Sequence, residues 1–464
     1  MTPAMDIILL APHEASVRSL LTEGSGAERA GYMLFGIADI ASDPWLGSSR
    51  RRLISHAFSE VPAGDRVSAS PVHVTWQTDG FMSLLNQAAD LGMVPAIVHT
   101  HPNGPASFST QDNENESELA RTVIHKGLPG LLSVVISGDG DLAARYWCSQ
   151  TENHLITRIL RSGPDLFLDD GSVALPDFLD RQVRLFGEAS NRMLTGFRCA
   201  IVGGGATGSA TLPLLMRLGI RQAVMLDRDC VEETNLNRLH GAARADADAH
   251  LPKTGLHARI VKQAGLGMHL VTVDAWAGEE ASLDALKSCD VIFCCTDDHS
   301  GRLFLNRFAR FYGIPVIDMG LAMQRRSDGG FDLFARVTTL VAGHPCLICG
   351  NHVSPRRARE ESLRRNDPES YDLQKAEAYL LGEGDPSPAV VTFTSETACM
   401  AVNEWLAGLT GFAGKTGMAQ TRVRRFHARD DRFPQIDKRD GCPCCHAAWT
   451  LGRADMIPFM DQVT

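Results

Sequence analysis

The sequence predicts an α/β protein with two domains, and three observations support this fold class. The chain has 464 residues, of which 44% are hydrophobic and 22% charged, enough for two or three domains that each bury a core. From Cys199 onward, apolar strand-like runs alternate with helical stretches, the pattern of a mostly parallel sheet with crossover helices. Residues 1–147 instead mix helix-like and strand-like runs and end in the hairpin pattern LLSVVIS–GDGD–LAARYW.

These patterns divide the chain into a first domain at 1–150, a linker at 151–177 and a second domain at 178–464. The linker is placed where Gly, Pro and Asp residues cluster around one short amphipathic run. In the first domain we expect a helix over 15–21 and strands over 32–37 and 95–99. In the second, residues 353–388 are charged and bounded by prolines, so we expect a mobile loop there.

Composition excludes several classes of protein. The formal net charge of −10 disfavours a protein that holds nucleic acid by broad electrostatic attraction. The apolar runs are far shorter than the roughly 20 residues of a membrane span, and the N-terminus has no basic region or cleavage signature. We therefore expect a cytoplasmic protein with no nucleic-acid or membrane partner. In such a setting the twelve cysteines indicate metal or thiol chemistry rather than a disulfide framework.

A candidate metal site lies in the first domain. His99 and His101 are two apart on a strand-like run, which places both imidazoles on one face, and Asp112 follows at the start of a helix-like run. Two imidazoles and one carboxylate leave the fourth zinc position open for water, as in hydrolytic sites. Ser109 and Asp112 also fit a capping box at a helix start, so a purely structural interpretation stays open.

A hydrolytic site also needs a general base and a group that stabilises the oxyanion. Glu28 immediately precedes a strand-like run, where it could accept the water's proton. Ser109 could donate a hydrogen bond to the tetrahedral oxyanion.

Residues 5–150 resemble the JAB/JAMM (MPN) metalloprotease family in His99-x-His101-Pro102, Ser109-x-x-Asp112 and an upstream Glu-x-x-Gly. The resemblance implies a catalytic zinc on His99, His101 and Asp112, and cleavage of isopeptide bonds to ubiquitin-like proteins. The glycine that closes the upstream segment, Gly36, comes one residue later than in the family, which leaves Glu23 as an alternative base. Gly31 follows Glu28 at the family's interval and favours Glu28.

A candidate nucleotide site lies in the second domain. Gly203, Gly205 and Gly208 form a Gly-x-Gly-x-x-Gly turn between a strand and a helix, where backbone N–H groups can approach a phosphate. Asp227 ends the next strand-like run and could bind a ribose. These residues alone fit a nicotinamide, a flavin or ATP equally well.

Further polar residues favour a triphosphate over a dinucleotide. Asn235, Arg238 and Lys253 add an amide and two cations, for which a neutral nicotinamide has no use. Asp297 follows the next strand-like run, where it could hold Mg²⁺. The structural alternative is that these are surface charges on a Rossmann-like domain.

Residues 178–446 resemble the ThiF/MoeB/ubiquitin-activating (E1) adenylation family, in which the glycine loop, Asp227, the 235–238 run, Lys253, and the 296–298 segment with Arg302 occur in this order. The resemblance implies a Rossmann-like domain that uses ATP and Mg²⁺ to adenylate a carboxylate. Arg181 matches an arginine that reaches the nucleotide of a partner subunit, which implies a homodimer.

Two cysteine pairs predict a second, structural zinc. Cys346-x-x-Cys349 and Cys442-x-x-Cys445 have four-thiolate spacing, and the adenylation family carries a zinc in the same relative place. Cys444 is an alternative to Cys445, but the two-residue gap favours Cys445.

The acceptor cysteine of E1 proteins has no clear counterpart. No cysteine lies between Cys349 and Cys399, and Cys399 lies in a helix-like run where a core position is favoured over a nucleophile. A helix start near Thr394 or Ser395 would lower the pKa of this thiol. Cys399 is thus the candidate nucleophile and Cys230 a weaker candidate; the remaining cysteines are assigned to linker or core, namely Cys148, Cys199, Cys289, Cys294 and Cys295.

Together the motifs predict a bifunctional enzyme that trims or releases a ubiquitin-like protein and activates its C-terminus with ATP. Such pairings resemble bacterial ubiquitin-like conjugation systems with an E2-like carrier, some of them linked to phage defence. The alternatives are adenylation for sulfur transfer or peptide modification without a thioester, a zinc-bearing oxidoreductase, and a scaffold that binds zinc and nucleotide without turnover.

Overall fold

The computed structural model describes residues 3–22, 26–62, 64, 66–70, 73–76, 79–170, 174–376, 389–414, 416–445 and 448–456. It confirms the α/β fold class, with two large sheets in order along the chain. Glu23, the alternative base, and residues 377–388 of the expected mobile loop lie outside the described residues.

The first sheet has nine strands in the order β11-β10-β1-β3-β2-β6-β7-β8-β9, and β4 and β5 form a separate hairpin. β1 is parallel to β3 and β10, and β6 is parallel to β7, while the other pairs are antiparallel. The elements are β1 (Ala4–Leu10), α1 (Ala11–Thr22), β2 (Ala30–Ile40), β3 (Arg50–Glu60), β4 (Arg66–Ser70), β5 (His73–Trp76), α2 (Asp79–Leu91), β6 (Val94–His101), α3 (Thr110–His125), β7 (Leu131–Ser137), β8 (Leu142–Trp147), β9 (Asn153–Ile156), β10 (Ile159–Ser162) and β11 (Leu166–Asp169).

The second sheet has eight strands in the order β14-β13-β12-β15-β16-β17-β18-β19. Neighbours from β14 to β16 are parallel and those from β16 to β19 antiparallel. The elements are α4 (Asp180–Gly196), β12 (Arg198–Val202), α5 (Ala206–Arg217), β13 (Gln222–Leu226), α6 (Arg244–Asp248), α7 (Lys253–Ala264), β14 (His269–Val273), α8 (Glu280–Lys287), β15 (Val291–Cys294), α9 (His299–Tyr312), β16 (Val316–Arg325), β17 (Phe331–Leu340), α10 (Pro355–Asn366), α11 (Pro368–Ala376), α12 (Val391–Thr410), β18 (Thr421–Arg425) and β19 (Asp430–Arg432).

Strand β12 is the switch point of the second sheet. Its neighbours are β13 on one side and β15 on the other, so the chain runs outward from β12 through β13 to β14 and then crosses back to β15 on the opposite side. Ligands of open α/β sheets bind in the crevice at such a point. The glycine loop starts there, directly after Val202.

The segment 151–177, expected to be a linker, contributes strands to the first sheet. β9 pairs with β8, and β10 pairs in parallel with β1, next to the N-terminal strand. Each of these strands has four residues, too short for a clear periodicity in the sequence. The expected β7–β8 hairpin, by contrast, is confirmed.

The two sheets share a hydrophobic core. Along β1, Ile7 and Leu9 pack within the first half of the chain, whereas Ile8 and Leu10 belong to the core built around the second sheet. This alternation follows from the period of two in a strand, and it explains why the apolar run has no polar face.

Candidate functional site

Strands β2 and β6 assemble the histidine site. His99 and His101 lie at the end of β6, and Ala30 of β2 pairs with His99 in the antiparallel register. The Thr100 N–H also donates to the Arg29 carbonyl, and the Arg29 N–H donates to the Thr100 hydroxyl, so the chain just before β2 stays beside the end of β6. This register brings Glu28 next to the two imidazoles.

The expected ligand atoms converge on one point. His99 Nε2 lies 3.2 Å from Asp112 Oδ1, and His101 Nε2 lies 3.7 Å from Asp112 Oδ2. Glu28 Oε1 lies 3.8 Å from His101 Nε2. One ligand atom each from His99, His101 and Asp112 falls within 4.8 Å of the others. The sequence pattern thus corresponds to a real cluster of side chains.

These residues fit a metal ion. Among the residues that the structure describes, buried His99 Nε2 has no hydrogen-bond partner, although a carboxylate oxygen faces it. His101 Nδ1 lies 3.1 Å from the carbonyl of Pro105, so it carries the proton and leaves Nε2 free as a ligand. An unpaired buried nitrogen is costly, and a cation would satisfy it.

The charges at the site are strongly perturbed. Burial raises the pKa of Glu28 to about 7; His99 opposes the rise and Asp112 adds to it. Burial acts to raise the pKa of Asp112 too, but His99 and the hydrogen bonds from Ser109 hold it well below its usual range. A carboxyl that titrates near neutrality beside an ionised one is suited to accept and return a proton.

Ser109 and Asp112 form the capping box that the structural interpretation of this motif predicts. Its Oγ accepts from the Asp112 backbone N–H at 3.1 Å, and its own N–H and hydroxyl donate to Asp112 Oδ2 at 2.6 and 2.7 Å. The cap and the convergence with His99 therefore coexist, because the two carboxylate oxygens of Asp112 face different partners. The hydroxyl of Ser109 is engaged with Asp112, so its expected role at an oxyanion stays a prediction.

The glycine loop is tightly packed around the end of β12. Gly203 has a φ of +96°, and a Cβ there would lie 2.9 Å from the backbone at 295–296. A Cβ on Gly208 would lie 1.9 Å from the carbonyl oxygen of Gly203. At Gly205, the N-cap of α5, a Cβ would meet nothing within 4 Å, so the helix N-terminus is open to a ligand.

Asp227 is anchored to this loop. Its Oδ2 accepts the backbone N–H of Gly204 at 2.6 Å, and its Oδ1 accepts that of Asp229 at 2.8 Å. Burial raises its pKa, while Lys253, 3.9 Å away, acts to lower it. The Lys253 ammonium also lies 2.9 Å from Asp229 Oδ2. The structure thus brings Asp227 and Lys253 together at the carboxyl end of β13.

His257 completes this arrangement and was missed by sequence reasoning. Its Nε2 lies 2.8 Å from the carbonyl oxygen of Gly204, to which it donates, and its buried Nδ1 has no hydrogen-bond partner in the described part of the chain. Burial lowers its pKa, which keeps the ring neutral at pH 7. It lies one turn after Lys253 on α7, but this spacing alone does not predict the contact with Gly204.

The other expected nucleotide residues follow β13 and β15 along the chain, and Asn235 ends a short 3₁₀ helix. Asn235 Oδ1 accepts from the Glu232 N–H at 3.3 Å, and Arg238 Nη1 donates to Asn237 Oδ1 at 3.0 Å. Asp297 is exposed in the loop between β15 and α9. Their expected role toward a nucleotide stays a prediction.

The four expected zinc thiolates form one cluster. The Sγ atoms of Cys346 and Cys442 lie 3.5 Å apart and those of Cys349 and Cys445 3.3 Å apart, with all four within 4.8 Å. Zn–S bonds of about 2.3 Å place tetrahedral sulfurs about 3.8 Å apart, so the cluster fits a zinc ion. Cys444 Sγ instead accepts a hydrogen bond from Asn306 Nδ2 at 3.0 Å.

Cys399 does not have the environment expected of it. The helix begins at Val391, not near Thr394 or Ser395, so Cys399 lies more than two turns from its N-terminus. As a residue, Cys399 is exposed rather than in the core. Partial burial of its thiol and the nearby Glu396 both raise its pKa. The condition for a dipole-lowered pKa is therefore not met, because that effect is confined to the first turn.

Arg181 lies near the start of α4, with its side chain exposed to solvent. Its expected role toward a partner subunit stays a prediction.

Comparison with protein families identifies both halves of the chain. Residues 179–445, more than half of the chain, match the model of the ThiF family. The chain belongs to the ThiF family. Residues 10–149 match the model of prokaryotic homologs of the JAB domain, so a JAB domain precedes the ThiF region as the sequence motifs predict.

Similar curated proteins are named as activating enzymes or adenylyltransferases. The SAMP-activating enzyme E1 of Haloferax volcanii is 27% identical over 162 residues, covering 35% of this chain and 56% of that protein. The sulfur carrier protein ThiS adenylyltransferase of Bacillus subtilis is 26% identical over 163 residues, covering 35% of this chain and 46% of that protein. The ThiF-family chain thus matches only about half the length of these relatives.

Among solved structures, E. coli MccB with ATP is 13% identical and has a TM-score of 0.44, covering 58% of this chain and 75% of that one. In the described part of this ThiF-family chain, no helix is long and apolar enough to span a bilayer.

Proposed function

We propose that this chain is a bifunctional enzyme that processes the tail of a ubiquitin-like protein at the JAB domain and adenylates the exposed C-terminus at the ThiF domain. The observation that carries the proposal is the occurrence in one chain of a His99–His101–Asp112 cluster beside Glu28 and a ThiF glycine loop anchored by Asp227.

The residues of the first site support peptide or isopeptide hydrolysis. A zinc ion on His99, His101 and Asp112 would supply Lewis acidity that activates a water. Glu28, 3.8 Å from His101, is placed to take the proton of that water and to return it to the departing amine. With its pKa raised to about 7, the carboxyl can act in both directions near neutral pH.

The residues of the second site support adenylation of a carboxylate with ATP. The loop at 203–208 would receive phosphates at the N-terminus of α5, and Asp227 would bind the ribose. Arg238 and Lys253, with Mg²⁺ on Asp297, would neutralise charge on the departing pyrophosphate. The carboxylate oxygen attacks the α-phosphorus of ATP, pyrophosphate leaves, and an acyl-adenylate forms.

Coupling the two reactions has a simple chemical reason. A precursor with residues beyond its terminal glycine has no free carboxylate at that glycine, so it must be cleaved before it can be adenylated. We propose a ubiquitin-like or sulfur-carrier protein as substrate, since relatives are named for such proteins. We further propose a cytoplasmic homodimer in which Arg181 reaches the partner's nucleotide, an E2-like carrier, and a role in antiviral defence.

A second candidate is adenylation followed by direct transfer, without a thioester. The raised pKa of Cys399 disfavours a thiolate at neutral pH, and no cysteine lies between Cys349 and Cys399 in the sequence. An acceptor would then attack the acyl-adenylate itself, as in sulfur transfer or peptide modification. Formation of a dithiothreitol-sensitive adduct that disappears in Cys399→Ser would contradict this candidate.

The test separates the two activities by a single substitution in the first site and a double substitution in the second. Glu28→Gln should abolish cleavage of a ubiquitin-like precursor yet leave pyrophosphate–ATP exchange with the mature protein unchanged. Asp297→Ala combined with Arg238→Ala should do the reverse. The exposed residues Glu118 and Asp248 offer matched controls, as Glu118→Gln and Asp248→Ala. Exchange that survives the double substitution, or cleavage that survives Glu28→Gln, would overturn the corresponding half of the proposal.

A further inference from the structure

A second mixed cluster of ligating side chains lies at the turn between β8 and β9. Trp147 pairs with Asn153 and Tyr146 with His154, and the Cys148 N–H donates to the carbonyl of Glu152 at 3.1 Å. In this register Cys148, Glu152 and His154 fall on the same face of the hairpin. The sequence analysis assigned Cys148 to the linker or core and did not single out Glu152 or His154.

The ligand atoms of these three residues converge. His154 Nε2 lies 3.7 Å from Cys148 Sγ and 3.3 Å from Glu152 Oε1. One sulfur, one ring nitrogen and one carboxylate oxygen thus lie within 4.8 Å of one another.

Contacts outside the cluster hold the turn in place. Ser149 Oγ accepts from the backbone N–H groups of Thr151 and Glu152 at 3.3 and 3.1 Å. Ser117 of α3 donates to the carbonyl of Gln150 at 2.8 Å. Cys148 packs against the core of the first sheet. The backbone is therefore preorganised before any ion binds, which lowers the entropy cost of assembling three ligands.

We propose that Cys148, Glu152 and His154 bind a zinc ion at this hairpin, separate from the His99 site and from the four-cysteine cluster. A thiolate and an imidazole select a borderline-soft cation over Mg²⁺ or Ca²⁺, and a carboxylate completes three protein ligands of a tetrahedral ion. Water takes the fourth position. Binding converts the Cys148 thiol to a zinc-bound thiolate and releases one proton to solvent.

The ion would fix one wall of a cavity near the proposed peptidase site. The hairpin residues Gln150, Thr151, Asn153 and Leu155 line a cavity of about 760 Å³. Its other wall includes residues 106–108, in the loop that connects His101 to Ser109. A zinc ion that cross-links both arms of the hairpin would therefore restrain the shape of this cavity.

The test measures how fast the Cys148 thiol is alkylated in the full chain, using mass spectrometry of the labelled peptides. With zinc at about ten times its Kd, about a tenth of the thiol stays free, so labelling should slow about tenfold relative to chelator-treated protein. Mg²⁺ should give no protection. Cys230 and Cys399, both exposed, report within the same sample any general effect of zinc on alkylation.

Substitutions of the other two ligands make the test specific. His154→Ala should abolish protection and Glu152→Gln should weaken it, because the thiol remains but loses a co-ligand. His125→Ala removes another exposed histidine and should leave protection intact. Equal alkylation rates of Cys148 with zinc and with chelator, or full protection in His154→Ala, would overturn the proposal.

Discussion

The Ser109 hydroxyl both caps α3 and donates to Asp112, a proposed metal ligand. Ser109→Ala should destabilise the chain by about 1 kcal/mol, the usual cost of a lost N-cap. It should also weaken zinc binding at the His99 site by about tenfold or more, since groups that orient a ligand have effects of this size. Urea unfolding and competition with a chromogenic chelator measure the two effects.

Ser109→Thr provides the matched control, because threonine keeps the hydroxyl and is also a good N-cap. Ser109→Thr should keep both the stability and the zinc affinity that Ser109→Ala loses. If Ser109→Ala lost stability but kept its zinc affinity, the hydroxyl would act on the helix alone.

Cys444 and Cys445 are adjacent, but the structure gives them different partners. Cys445 Sγ lies 3.3 Å from Cys349 Sγ, whereas Cys444 Sγ contacts Asn306. Cys445→Ser should therefore lose about one zinc ion per chain, and Cys444→Ser should keep it, because only a ligand's loss opens the closed thiolate shell. Elemental analysis of both purified variants decides between them; the reverse result would place Cys444 in the shell.

At the scale of elements, the packing of α1 on β3 depends on a neutral histidine. Ser55 Oγ accepts the backbone N–H of Leu10 at 2.9 Å and lies 2.8 Å from His13 Nδ1, to which it can donate its own proton. Burial lowers the pKa of His13 to about 4, with the nearby His56 acting in the same direction and the Ser55 contact opposing it.

This arrangement predicts that stability falls in mild acid. The unfolded chain binds a proton on His13 below about pH 6.5, while the folded chain binds it only below about pH 4. Stability should therefore decrease as pH falls through this window, by up to about 3 kcal/mol. His13→Asn should flatten the pH dependence of urea unfolding between pH 7 and 4. An unchanged slope in that variant would assign the effect to other groups, His56 first among them.

The elements that sequence reasoning predicted well are those with strong local patterns. The β7–β8 hairpin has a turn with residues that tolerate positive φ, and Gly140 has a φ of +86°. The start of α12 was left open in the sequence, because the rule looks for a Ser or Thr cap, whereas the helix begins at Val391 and its N-cap is Val390. Strands β9 to β11 were missed because they are short runs. In addition, β10 pairs with β1, which lies far away in the sequence.

Among the candidate site residues, too, those with a local sequence pattern were predicted and those without one were missed. His99, His101 and Asp112 could be found because a strand and a helix start impose fixed spacings. His257 could not, because its contact with Gly204 depends on where α7 packs, which no local spacing encodes. Arg52 was not singled out either, since an arginine normally indicates surface, yet it is fully buried.

At the scale of the whole molecule, the two sheets are joined by packing and by the returning C-terminal segment. Gly313 follows α9, and a Cβ there would lie 2.6 Å from Leu10 of β1. The N–H of Asp455 donates to the carbonyl of Ile37 at 3.1 Å, and the hydroxyl of Tyr312 donates to the Asp455 carboxylate at 2.6 Å. These contacts fix the first sheet against the second, so the proposed sites keep one relative arrangement.

A buried charge network across this junction makes the coupling testable. Arg52 donates from Nε to Asp6 Oδ2 at 2.8 Å within the first sheet, and from Nη2 to Asp290 Oδ1 at 2.7 Å, next to β15. Burial acts to raise the pKa values of Asp6 and Asp290, but the surrounding arginines hold both below the usual range. Each carboxylate therefore stabilises the fold above its unfolded pKa of about 4, and this contribution is lost as pH falls further.

Arg52→Ala should lower the free energy of unfolding by about 3–5 kcal/mol, because it leaves two buried carboxylates short of a partner. Arg121→Ala is the matched control, since Arg121 pairs with Glu118 on the exposed face of α3 and such pairs contribute less than about 1 kcal/mol. Because Arg52 bridges the sheets, its loss should also expose the junction to proteolysis before either half unfolds. If Arg52→Ala were no more destabilising than Arg121→Ala, the shared apolar core alone would hold the two halves together.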